Sequence, residues 1–67
     1  MELSARNQLK AKVKSVKLGA VMAEVVIDVA GQEVVSVITR SSAERLKLQV
    51  GDAVTAVIKS TEVMLGK

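Results

Sequence analysis

The chain has 67 residues, 49% of them hydrophobic, with a formal net charge of +3 and no Cys, His, Phe, Trp or Tyr. Without Cys or His, disulfides and ordinary zinc, copper or iron sites are excluded, as is nucleophilic catalysis by a thiol or by a His-activated hydroxyl. A chain this short buries only about 60% of its unfolded surface. With neither disulfide nor metal to reinforce it, so apolar a sequence is expected to assemble as a homo-oligomer.

Met1-Glu2-Leu3-Ser4 lacks the basic and then apolar run of a signal peptide, and no apolar stretch approaches the ~20 residues of a membrane span. A cytoplasmic protein is expected, with no membrane partner. The stretch Ser4-Ala5-Arg6-Asn7-Gln8 that follows is polar and has no apolar period. Beyond it Leu9, Ala11 and Val13 alternate with Lys10, Lys12 and Lys14, the period of a half-buried strand. At Ser15 the phase flips to Val16 and Leu18, which predicts a bulge or bend within that strand.

Gly19-Ala20 reads as a turn. In the next strand Ala23, Val25, Ile27 and Val29 face one way, and Met22, Glu24, Val26 and Asp28 face the other. The second face carries Met22 and Val26, which suits a contact between subunits. Ala30-Gly31-Gln32 is a tight connection to a third strand, Glu33 to Thr39. Ser41-x-x-Glu44 has the pattern of a capping box and predicts a short helix over 42–46. Gly51-Asp52 turns into a fourth strand, Ala53 to Lys59, and Val63-Met64-Leu65 is read as a short last strand. The expected fold is all-β with one short helix, an OB-like five-stranded small barrel.

The acidic residues are scattered, so neither a carboxylate dyad nor a loop with calcium-site spacing stands out. Three polar islands remain at strand ends: Ser4-Ala5-Arg6, Thr39-Arg40-Ser41-Ser42 and Lys59-Ser60-Thr61. Each joins hydroxyls to a fixed positive charge, a mixture suited to a tetrahedral oxyanion. Each also has a plain reading as a helix cap, a solvated edge lysine or a surface arginine. The Lys10, Lys12, Lys14 and Lys17 stripe offers an alternative, an OB-like nucleic-acid-binding module. Single-strand binders of that fold stack bases on aromatic side chains, and this chain has none. A purely structural oligomerisation domain is the third reading.

Ser4-Ala5-Arg6-Asn7-Gln8-Leu9-Lys10 resembles the start of the molbindins, the small molybdenum-pterin-binding (Mop) proteins built from a TOBE-type domain. The likeness continues through Gly19-Ala20-Val21-Met22-Ala23-Glu24-Val25-Val26, Ser36-Val37-Ile38-Thr39, Val50-Gly51-Asp52 and Thr55 to Met64. It departs at Ala11, where family members commonly have Gly. The resemblance implies one oxyanion-binding domain over residues 1–67, binding molybdate or tungstate intact, with no organic cofactor and no bare metal cation. It implies a homohexamer, a trimer of dimers, with sites between subunits, and storage without nucleic-acid binding or enzymatic activity. Carried over by residue, the main site comprises Ser4, the Ala5 backbone N–H, Arg6, Thr39, Ser42, Lys59 and Ser60. A second oxyanion site involves backbone at Gly19, Ala20 and Val21.

Overall fold

The computed structural model describes all 67 residues. Four strands form one antiparallel sheet: β1 (Asn7–Leu18), β2 (Met22–Val29), β3 (Gln32–Thr39) and β4 (Ala53–Ile58), in the order β3-β2-β1-β4. A six-residue helix α1 (Arg40–Arg45) joins β3 to β4, and a 3-10 turn over Ser60–Glu62 follows β4.

β1 is shared between two partners. Its first half pairs with β4, from Asn7 opposite Ile58 to Lys12 opposite Ala53. Its second half pairs with β2, from Lys12 opposite Asp28 to Leu18 opposite Ala23. The register slips between Val13 and Ser15, leaving Lys14 as the extra residue of a bulge. This is the bend that the phase change at Ser15 predicts. It keeps Ala11 and Val13 inward on one side, and half-buried Val16 inward on the other.

The β2–β3 connection is a two-residue turn closed by Val29 opposite Gln32. Both of its central residues, Ala30 (φ 51°) and Gly31 (φ 87°), have positive φ. That is the twist hairpins prefer, but Ala30 adopts it against the repulsion of its own Cβ.

The helix begins earlier than Ser41-x-x-Glu44 suggests. Its N-cap is Thr39, whose Oγ1 accepts the Ser42 N–H at 3.1 Å. Thr39 ends β3 in an extended conformation, so its hydroxyl already faces the first turn, while Glu44 pairs with Arg40 at 3.5 Å instead. At the other end Lys47 turns left-handed (φ 52°). Its N–H donates to Glu44 O and that of Leu48 to Ala43 O, the paired bonds of a Schellman motif. The motif turns Leu48 back onto the core.

One expectation is corrected: the sheet has four strands, not five. After β4 the bonds Glu62 N–H to Lys59 O and Val63 N–H to Ser60 O curl the chain out of line. Val63-Met64-Leu65 therefore pairs with nothing in its own chain, and Met64 and Leu65 are more than nine-tenths exposed.

The core is small. Only Ala11, Val13, Ala23, Val25, Ile27 and Ala43 are buried. Total accessible surface is 5613 Å², against about 4,100 Å² expected for a compact 7.1 kDa monomer. Val35 and Val37 on the outer face of β3, each 60% exposed, contribute to the excess. An apolar cleft of about 490 Å³ opens beside the core, with Val34 and Ile38 of β3 and Val54 and Ala56 of β4 among its walls.

Replacing Ala30 with Asn, which tolerates positive φ and forms the favoured Asn-Gly turn, should stabilise the fold by about 0.5–1 kcal/mol. The check is the urea midpoint at fixed protein concentration.

Candidate oxyanion site

The predicted site residues fall into two groups, one at each end of β1. At the Asn7 end, Asn7 opposite Ile58 is the last register pair, so Ser4-Ala5-Arg6 and Lys59-Ser60 extend from the same edge of the sheet. Gln8 fixes this entry: its Nε2 donates to Ala5 O at 2.8 Å and its backbone N–H to Arg6 O at 3.1 Å. Ala5 thus has its carbonyl occupied, while its N–H has no partner in the chain. Arg6 and Lys59 are exposed and form no ion pair, and the Ser4 and Ser60 hydroxyls are unbonded. These residues are rich in donors, and Glu62 closes the 3-10 turn that Ser60 begins.

At the Leu18 end, Leu18 lies opposite Ala23 and Met22 opposite Thr39, so the Gly19–Val21 turn and the start of α1 are neighbours. The Arg40 N–H donates to Val21 O at 2.7 Å and its Nη1 to Gly19 O at 3.3 Å. Gly19 itself donates to Met22 O at 2.7 Å, and a Cβ there would sit 2.8 Å from that oxygen. Only glycine fits a turn this tight. The Ala20 and Val21 N–H groups have no partner in the chain.

Thr39 and Ser42 are brought together directly. Thr39 Oγ1 donates to Ser42 Oγ at 2.7 Å, and Ser41 Oγ lies 3.3 Å from Thr39 Oγ1. Arg45 Nη2 donates to Ser42 Oγ at 3.4 Å. Arg40 and Ser41, members of the polar island Thr39-Arg40-Ser41-Ser42, thus lie at this corner, and so does Arg45, to which the sequence pattern assigns no role. The Ser42–Arg45 spacing of three, one helical turn, was the available signal for Arg45.

The structure does not unite the two groups within a chain. Ser4, Ala5, Arg6, Lys59 and Ser60 lie at one end of a 12-residue strand, and Thr39, Ser42 and the Gly19–Val21 turn lie at the other.

The lysine stripe is not a continuous cationic track. Lys12 lies opposite Asp28 and Lys17 opposite Glu24, while Lys14 donates to the Glu33 carboxylate. That hydrogen bond and charge hold the Lys14 ammonium above its ordinary pKa. Both side chains are exposed, so solvent screens the pair. Lys10, opposite Thr55, is the lysine of the stripe with no acidic residue across the sheet. No group of three or more Asp, Glu, His or Cys gathers where it could hold a metal ion.

Comparison with known proteins gives this arrangement a context. The TOBE domain family matches residues 3–65. The chain belongs to that family. This TOBE domain is 54% identical over 66 residues to molybdenum-pterin-binding protein 3 of Clostridium pasteurianum, covering 97% of each chain. Its fold superposes on a molybdate-binding protein from Sporomusa ovata with a TM-score of 0.95, at 46% identity and full coverage of both chains. MopII from Clostridium pasteurianum gives a TM-score of 0.92 at 48% identity, covering 98% of this chain and all of that one. The resemblance of the TOBE domain to the Mop proteins therefore extends over its whole length, in sequence and in fold.

Thr39→Ala, which removes the helix cap, should destabilise this TOBE domain by about 1 kcal/mol, whereas Thr39→Ser should change stability by only a few tenths. Paired urea melts at equal protein concentration measure both.

Proposed function

We propose that the protein binds molybdate as the intact tetrahedral dianion and stores it without altering it chemically. The observation that carries this reading is the unpaired donor set of Ser4, the Ala5 N–H, Arg6, Lys59 and Ser60. It lies in a chain about half identical along its length to molybdenum-pterin-binding proteins. The charges of Arg6 and Lys59 match those of a dianion, and the hydroxyls and amide supply donors to its oxygens. Without such compensation, desolvating the dianion would be prohibitive. Tungstate, with the same charge and tetrahedral shape, is a second ligand of the same site.

The site is completed between subunits. Thr39 and Ser42 of one chain meet Arg6 and Lys59 of another, since the two groups lie at opposite ends of β1 within a chain. The roughly 1,500 Å² of surface in excess of a compact monomer's is consistent with an assembled state. The unpaired Val63-Met64-Leu65 segment and the free edges of β3 and β4 supply backbone for intersubunit pairing. The assembly proposed is a hexamer, a trimer of dimers, working in the cytoplasm. No helix is long and apolar enough to cross a membrane. Binding without catalysis suits a chain whose hydroxyls have no His to act as base.

Equilibrium dialysis of the assembled protein against molybdate, with sulfate as competitor, should give saturable binding that sulfate displaces weakly. Absence of saturation would overturn the proposal, and salt-sensitive binding of single-stranded DNA would favour the nucleic-acid reading instead. Arg6→Ala should lower molybdate affinity at least tenfold and leave the native mass unchanged, because the exposed guanidinium makes no contact that holds the fold.

A further inference from the structure

The Thr39–Ser42 corner holds two cations that the donor set above does not use, and Arg40 is already paired with Glu44. Arg45 is exposed and forms no ion pair, and its Nη2 donates to Ser42 Oγ at 3.4 Å. Hydrogen-bond polarity gives this contact a consequence. Thr39 Oγ1 accepts the Ser42 N–H at 3.1 Å and donates its only hydrogen to Ser42 Oγ at 2.7 Å. The 3.3 Å contact between Ser41 Oγ and Thr39 Oγ1 must then have Ser41 as donor. Thr39 is thereby saturated, with one hydrogen given and both lone pairs occupied.

Ser42 is in the complementary position. Its oxygen accepts from Thr39 and from Arg45, which fills both lone pairs, and its own hydrogen has no acceptor in the chain. A guanidinium cannot accept, so Arg45 can only reinforce this direction.

We propose that Arg45 is a positioning residue of the oxyanion site, acting through Ser42 to keep that hydroxyl a donor to the bound anion. The inference rests on the reading that Ser42 contributes to the site. It also divides the labour at this corner: Ser42 contacts the anion, and Thr39 and Arg45 set the direction of its hydrogen. The oxygen received here must offer a lone pair, which every oxygen of the molybdate or tungstate dianion does.

A double-mutant cycle on molybdate affinity tests it, with Arg45→Met, Ser42→Ala and the double variant dialysed in about 0.5 M sodium chloride. At that ionic strength an exposed charge acts only over a few ångströms, so direct attraction by Arg45 is suppressed. Arg45→Met should weaken binding about fivefold to tenfold in the otherwise unchanged protein and less than twofold in the Ser42→Ala background. Native mass should be unchanged throughout. Equal losses in both backgrounds would show Arg45 acting independently of Ser42, and no loss in the unchanged protein would show it not acting at all; either overturns the proposal. Loss of the assembly in Arg45→Met would make the residue structural and overturn it too. If Ser42→Ala alone left affinity unchanged, Ser42 would not belong to the site and the inference would fall with it. Absence of molybdate binding by the unsubstituted protein is the separate result that overturns the functional reading itself.

Discussion

The backbone of Val13 is where the fold is joined. Its carbonyl accepts the Gly51 N–H at 2.8 Å and its N–H donates to Asp52 O at 2.9 Å. Gly51 reaches this position with φ at 94°, and the Asp52 carboxylate accepts the Gln49 N–H, which braces the same turn. The junction falls where β1 leaves β4 for β2, one residue before the Lys14 bulge. A strand with one partner throughout would be a plain sheet element. A strand that changes partners midway, pinned at the change, curls two half-sheets around Val13, Val25 and Ile27. The same handover sends the two donor groups to opposite ends of β1, so the fold's central joint also fixes the geometry of the site.

A chain without aromatic residues must build its interior from short side chains, and six buried residues are a small yield. Ala11, Ala23 and Ala43 are half of them. Small residues let β1, β2 and α1 approach closely but bury little area each. The missing burial is therefore not inside the subunit. The apolar residues that would supply it, Val35, Val37 and the Val63-Met64-Leu65 segment, lie on its surface. Their exposure and the free edges of β3 and β4 are what the proposed assembly would cover.

Period and turn chemistry made much of this legible. The alternation of Ala23, Val25, Ile27 and Val29 is the inward face of β2, and the phase change at Ser15 is the bulge. Two features were misjudged because local pattern competed with chain direction. Ser41-x-x-Glu44 looks like a capping box, yet Thr39 reaches the helix first from the end of β3. Val63-Met64-Leu65 looks like a strand, yet the turn at Ser60–Glu62 leaves it without a neighbour in the chain. For the site, residue types at strand ends pointed to the donors. The separation of those donors depends on register, which no single stretch of sequence specifies, and the Arg45–Ser42 contact depends on where the helix starts.

The division of donors between the ends of β1 would have a consequence under the proposed binding between chains. Affinity would then be a property of the population as well as of the molecule, because a chain without neighbours would offer only half of the proposed donor set. Ligand and assembly would reinforce each other by mass action. Such a store would hold its anion most tightly when the protein is abundant, and dilution or turnover of the chains would release it without any dedicated release mechanism.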